Sequence, residues 1–210
     1  MTTATSHEDA PVHPTFTNAH AQMCAVITAL TKSFGDDGES LIRATYRALG
    51  HRTGQQMIDV GVVPAGADLE TYGRVSEQIM DTCGLEGWTR LASPQPEHRT
   101  VVPGCAAYLP LFTFLDAPDN ICSLPFEWDN GCLDVINQSL QVWPRRCAYR
   151  GEAECHYVID ARAEGAVGGS ATPSSSRGVA VKDEPTWTNP TAGFLALIGA
   201  AAGRFGHAAL

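Results

Sequence analysis

Between residues 15 and 83 the chain repeats one pattern three times, and that pattern narrows the folds open to it. Met23, Val26, Ile27, Leu30 and Phe34 recur at helical spacing and lay down a single apolar stripe. Gly35 closes that helix, and Asp36 or Asp37 caps the next, with Glu39 suited to its positive end. Ile42, Tyr46, Leu49, Thr53, Met57 and Val60 carry the period on to about Asp59. After a break at residues 63–66, Asp68 opens a third helix through Leu69, Tyr72, Val75, Ile79 and Cys83. Three amphipathic helices in a row form a layer that buries its apolar face only against a second layer. Gly50 and Gly54 lie four apart in the second helix, where small residues permit close helix packing or the approach of a ligand.

The second layer follows. Residues 88–92 and 99–102 read as short strands separated by the turn-rich segment 93–96. Residues 108–115 are apolar and open between strand and helix. Asp129 or Asn130 is placed to cap a helix carrying Cys132, Val135, Ile136 and Leu140. Residues 141–150 and 154–160 alternate as strands and join at Gly151, a hairpin. Cys155, Tyr157 and Ile159 share one face of it, and His156, Val158 and Asp160 the other. Pro144 assigns the first of these strands to an edge or a bulge. The expected fold class is α+β, an N-terminal helical layer packed on a small, mainly antiparallel sheet that ends in a β-hairpin. The expected domain is residues 14–161, after a disordered 1–13. A Gly/Ser/Ala-rich linker (162–186) and a tail (187–210) with a short helix follow, the helix presenting Phe194, Leu197 and Ile198 to the body or to a neighbouring chain.

Charge narrows the partners. The chain has 14 Lys and Arg against 23 Asp and Glu, a formal −9, and residues 1–160 hold 10 and 20 of these. An acidic body lacks the basic footprint that nucleic acid or an anionic membrane requires. No signal-peptide pattern opens the sequence and no apolar run is long enough for a bilayer, so the expected location is cytoplasmic. Seven cysteines in a reducing compartment are expected to be free thiols. They contain no C-x-x-C pair and no metal-ligand spacing, so no metal and no cofactor is implied. The expected partner is a small-molecule substrate, with a homo-oligomer or a partner subunit left open.

The residues suited to chemistry concentrate in 120–160, which holds Cys122, Cys132, Cys147 and Cys155. A cap at Asp129 or Asn130 would put Cys132 in the first helical turn, where unpaired N–H groups favour thiolate. Asp134 lies two residues on, about 200° around an ideal helix, so the two share a site only if the turn is irregular. Asn137, three residues further, can stand beside Asp134 and hydrogen-bond it. Glu127 sits between Phe126 and Trp128, where desolvation would raise its pKa and make it a usable acid. Cys105 follows Pro103-Gly104, a point where backbone can approach a ligand, and His98 beside Arg99 is placed to bind an anion.

Together these features resemble the L-2-amino-thiazoline-4-carboxylic acid hydrolase family. The resemblance covers about residues 20–160. It rests on the helix opening at Phe34-Gly35 and running past Gly50 and Gly54, on Cys105 followed by Cys132-Leu133-Asp134 and Asn137, and on the closing segment Gly151 to Cys155. The last segment is also similar to the end of the 4-vinyl-reductase type of ligand-binding domain. The family's closing motif has Asp-Phe after the cysteine, where this chain has His156-Tyr157. The resemblance implies an enzyme acting at a C–N or C–S bond of a small heterocyclic or amino-acid-derived substrate, by ring-opening hydrolysis. In that reading Asp134 is the base, Cys132 or Cys105 the nucleophile or leaving-group contact, Glu127 the acid and Asn137 the residue orienting Asp134. His98 and Trp128 join Asn137 in binding substrate. The alternatives are an elimination or cyclisation lyase on the same scaffold, and a non-catalytic small-molecule-binding domain.

Overall fold

The computed structural model describes residues 19–82, 89–92, 97–101, 109–162 and 190–206. In chain order these form α1 (Ala19–Asp59), α2 (Leu69–Thr82), β1 (Thr89–Leu91), β2 (His98–Val101), α3 (Leu109–Leu115), α4 (Phe126–Ile136), β3 (Leu140–Arg146), β4 (His156–Ala161) and α5 (Pro190–Phe205). The fold is α+β, as expected, and the apolar run left open between strand and helix is the helix α3. The expected N-terminal segment, most of the linker and Cys105 lie outside the described residues.

Gly35 divides α1 into two arms, with φ 51° and ψ −128°. A Cβ there would meet no other atom, so the backbone conformation, not crowding, is what calls for glycine. Past this point the chain folds back on itself. The Leu30 carbonyl occupies the place where Gly38 would carry a Cβ, and further out Cys24 lies beside Tyr46. The two arms therefore lie against each other. α2 begins where the sequence puts it, with Asp68 Oδ1 accepting the Thr71 N–H at 2.8 Å.

The strands form one antiparallel sheet in the order β1-β2-β4-β3. β3 is an edge strand, and its register shifts between Pro144 and Arg146, the bulge that proline implies. A short 3-10 turn, Ala148–Arg150, and Gly151 at φ 87° lead from β3 towards β4.

Two apolar cores result among the described residues. One lies between α2, α4 and the inner sheet face and holds Met57, Tyr72, Leu133, Ile136, Val142 and Ile159. The other joins both arms of α1 to α3 and α5 through Ile27, Ile42, Tyr46, Phe112, Leu124 and Leu197. α5 docks on the body, with Leu197 and Ala201 buried and the Phe205 ring stacked on Phe34 at 3.8 Å. Trp128 packs against both cores, and its Nε1–H donates to Thr53 Oγ1 at 3.0 Å.

The second arm of α1 meets α4 backbone to backbone. A Cβ on Gly50 would run into the Trp128 carbonyl and lie 2.8 Å from Gly131 Cα. One on Gly54 would lie 2.7 Å from the Cys132 carbonyl, and one on Gly131 would strike the Arg47 carbonyl. Of the two roles open to Gly50 and Gly54, close helix packing is the one they fill, and this contact fixes how α4 is rotated. The start of α4 differs from expectation. It begins at Phe126 after Pro125, with no side-chain cap, so neither Asp129 nor Asn130 is a cap. Asn130 instead pairs with the edge strand. Its Nδ2 donates to the Val142 carbonyl at 2.8 Å and its Oδ1 accepts the Val142 N–H at 2.9 Å. No helix among the described residues is long and apolar enough to cross a membrane.

Candidate functional site

α4 carries Glu127, Asp129, Cys132 and Asp134. At about 100° per residue, Asp129 and Asp134 point roughly 140° apart. Since the glycine contact fixes the helix against α1, one carboxylate faces α1 and the other faces α2 and the sheet.

The α1 side is a ladder of charge. Glu39, Arg43, Arg47 and His51 lie four apart along one stripe of α1. Arg47 donates through Nε to Asp134 Oδ2 at 2.6 Å and through Nη2 to Oδ1 at 2.7 Å. Its Nη1 reaches Glu127 at 2.8 Å. His51 Nε2 lies 2.9 Å from Asp134 Oδ2, and both terminal nitrogens of Arg162 lie 3.1 Å from Oδ1. Arg43 spans Glu127 at 3.0 Å and Glu39 at 2.7 Å, and Asn120 closes on Glu39 at 2.6 Å. Burial alone would raise the Asp134 pKa. The hydrogen bonds from Arg47 and His51 and the charge of Arg47 outweigh it and hold the carboxyl below its usual range.

Glu127 and Asp134, the acid and base of the sequence reading, are thus brought together by the Arg47 guanidinium, which donates to both. Asp134 held this way is a weak base, because protonating it disturbs up to five contacts. Asn137 does not orient Asp134. Its Nδ2 donates to the Ala67 carbonyl at 3.0 Å, and its Oδ1 accepts from Ser139 N and Oγ at 3.0 and 2.6 Å.

The α2 side is different. Asp129 Oδ1 accepts the Tyr157 hydroxyl at 3.2 Å, and that hydroxyl accepts Ser76 Oγ–H at 3.1 Å. Tyr157 stands on the inner face of β4 opposite Thr100, with the Phe126 ring 5.1 Å away. Among these groups no cation reaches Asp129. Burial pushes its pKa up to about 6, against the pull of the Tyr157 hydrogen bond. It nevertheless keeps part of its surface in contact with solvent.

Cys132 lines the same region. It falls in the second turn of α4, not the first, and is 5% exposed. Burial foremost, and then the Asp129 charge, hold its thiol well above the ordinary range. At neutral pH this sulfur is a thiol, not a ready nucleophile. Tyr72 completes the group, its hydroxyl raised by burial and then by Cys132 and Asp129.

His98 shares the sheet face of Thr100 and Tyr157 but is spoken for by α2. Its Nε2 lies 3.0 Å from Glu77 Oε1, and Gly73 leaves no room for a side chain over Nδ1. Arg90 holds Glu77 through two bonds of 2.7 and 3.0 Å. Burial lowers the His98 pKa, so the ring is a neutral fastener between α2 and β2. Trp128 joins the two cores through Thr53.

The residues that sequence reasoning missed are Tyr157 and Ser76, and Asp129 in this role. One signal for them was present. A tyrosine at an inward strand position requires a polar partner for its hydroxyl, and a nearby helix carboxylate is an obvious source. Among the described residues no group of three or more His, Cys, Asp or Glu side chains could hold a metal ion. The chain matches no family model, and no curated protein or solved structure matches it.

Proposed function

We propose that this chain is an enzyme that moves protons on a small heterocyclic or amino-acid-derived substrate, and that Asp129 is its acid–base group. The observation that carries the reading is a largely buried carboxyl that no cation reaches among the described residues, its pKa raised to about 6 and its side-chain hydrogen bond made by a tyrosine. A general base works best with a pKa near the operating pH, and Asp129 meets that condition while Asp134 does not.

For ring-opening hydrolysis of a cyclic amidine-like carbon, one such group suffices. Ionised Asp129 takes a proton from water as the oxygen bonds to carbon. It returns that proton to the nitrogen or sulfur as the ring bond breaks. Tyr157, itself held by Ser76, donates to the carboxylate and fixes its orientation. The raised pKa of Cys132 supports water over a thiolate as the nucleophile. Elimination or cyclisation would use the same single base.

The test is turnover of thiazolines, hydantoins and related cyclic amino-acid derivatives by mass spectrometry, on wild type, Asp129→Asn and Asp134→Asn, each shown to be folded. Turnover is expected in wild type, with kcat/KM rising through an apparent pKa near 6, and is expected to be lost in Asp129→Asn. Folded Asp134→Asn is expected to keep most of it. Full turnover in Asp129→Asn would overturn the assignment. A compound retained by wild type and Asp129→Asn alike without conversion would establish a binding domain instead.

A further inference from the structure

Apart from Cys132, the cysteines of the 120–160 stretch are not used by the site above, and these three converge. Cys122 precedes α4, Cys147 follows β3 and Cys155 precedes β4. The Cys122 thiol lies close enough to Cys147, and next to Cys155, for both to act on it electrostatically. Cys155 Sγ accepts the Ala148 N–H at 3.3 Å, and Glu152 accepts the Cys147 N–H, so the turn holding Cys147 is pinned from both sides. On the other side of the contact, Tyr149 donates to the Ala117 carbonyl at 2.8 Å and ties this turn to the segment leading to Cys122. Cys147 is fully buried, while Cys122 keeps some surface in solvent.

We propose that Cys122 and Cys147 form a redox latch: a hydroperoxide oxidises the pair to a disulfide that ties the approach to α4 to the end of β3. Cys122, the accessible partner, attacks the peroxide oxygen as its thiolate. This gives a sulfenic acid and releases water or an alcohol. Cys147 then loses its proton and attacks the sulfenyl sulfur, expelling water and closing the S–S bond. Two thiols are oxidised by two electrons and one peroxide is reduced. Burial and the neighbouring thiols raise the Cys122 pKa, while Arg150 pulls it down. The thiolate fraction at neutral pH is therefore small. The latch closes slowly, and its rate rises with pH. The segment it ties, residues 120–124, leads directly into α4, so closing it stiffens the helix that carries Asp129.

The experiment exposes the full chain to hydrogen peroxide at pH 7 and pH 8.5, caps free thiols under denaturing conditions and maps peptides by mass spectrometry. Cleavage after both basic and acidic residues isolates Cys122 in 120–127, Cys147 in 147–150 and Cys155 in 155–160. The expected product links 120–127 to 147–150 within one chain, and forms about tenfold faster or more at the higher pH. It persists in Cys155→Ser and is absent in Cys122→Ser. Three results would overturn the proposal: Cys122 carried to sulfinic acid without a link, a disulfide between two chains, or Cys147 joined to Cys155 as the main product.

Discussion

Asp129 and Asp134 lie five residues apart on one helix and are in opposite electrostatic states. Asp134 is met by two guanidiniums and an imidazole and is held as an anion. Asp129 is met by one phenol and is pushed towards its neutral form. Burial raises both carboxyls and weighs more heavily on Asp129. The rest of the difference comes from what the facing element supplies. The second arm of α1 offers a stripe of arginines, whereas α2 and β4 offer hydroxyls and rings. The comparison teaches that the carboxylate in the richer network is the structural one, because a satisfied charge has little reason to exchange a proton. The poorly satisfied carboxylate costs stability, and that cost is the usual mark of a working group.

The largest effect is expected where the comparison is cut at its source. Arg47→Met keeps the bulk of the side chain but leaves Glu127 short of one partner and Asp134 short of its two closest bonds. Stripping one partner from a buried pair costs several kcal/mol. With residual solvent and Arg162 and Arg43 still present, a loss of about 3 kcal/mol is expected in urea unfolding at pH 7. An unchanged midpoint would mean that the ladder does not hold α1 to α4, and Asp134 would lose its structural standing.

Asp129→Asn is expected to move stability the other way. A folded-state pKa of about 6 against 3.8 means the folded chain binds more protons between those values, so wild-type stability falls as pH rises through that window. The full penalty is present above about pH 6 and amounts to about 2–3 kcal/mol. Asparagine keeps an acceptor for Tyr157 and escapes that penalty. The variant is expected to be more stable by about that amount at pH 7.5 and to match wild type near pH 4. Asp134→Asn is the mirror experiment. Its folded pKa is lowered, so its contribution is present above the usual carboxylate range and is lost as pH falls through the folded value. A loss of stability at pH 7 is expected, vanishing as the solution becomes strongly acid. Equal pH dependence for the two variants would erase the distinction.

The fold was largely readable because its signals are local. The helical stripe broken at Gly35, the Asp68 cap, the alternation through Tyr157 and the bulge at Pro144 each depend on near neighbours in sequence. The site was less readable because it depends on rotation. Whether Asp129 or Asp134 meets arginines is decided by the Gly50–Gly131 contact, between residues 81 apart in the chain. The stripe Glu39, Arg43, Arg47, His51 was visible as spacing, but a charged stripe usually faces water, and nothing nearby in sequence says that this one faces a helix. Asp129 was misplaced by a local rule: a carboxylate before an apolar helix normally caps it, yet α4 starts three residues earlier, behind Pro125.

The smallest effect is the most specific test of the site. Tyr157→Phe removes the hydroxyl that donates to Asp129 and accepts from Ser76, and keeps the ring that packs on Phe126. The stability change is expected to be about 1 kcal/mol or less, since a hydrogen bond to the carboxyl is lost while a buried phenol is no longer desolvated. The titration of Asp129 is expected to move further up, because the group that pulls its pKa down is gone. Carbon-13 NMR of the aspartate carboxyls reads that shift directly, with Asp134 as an internal control on the same helix. An upward shift at Asp129 with Asp134 unmoved supports the division of α4 into a working face and a tethering face. A joint shift of both would mean that the two carboxylates belong to one coupled network. Asp134 could not then be set apart as the tether, and the acid–base role would have to be argued for the pair.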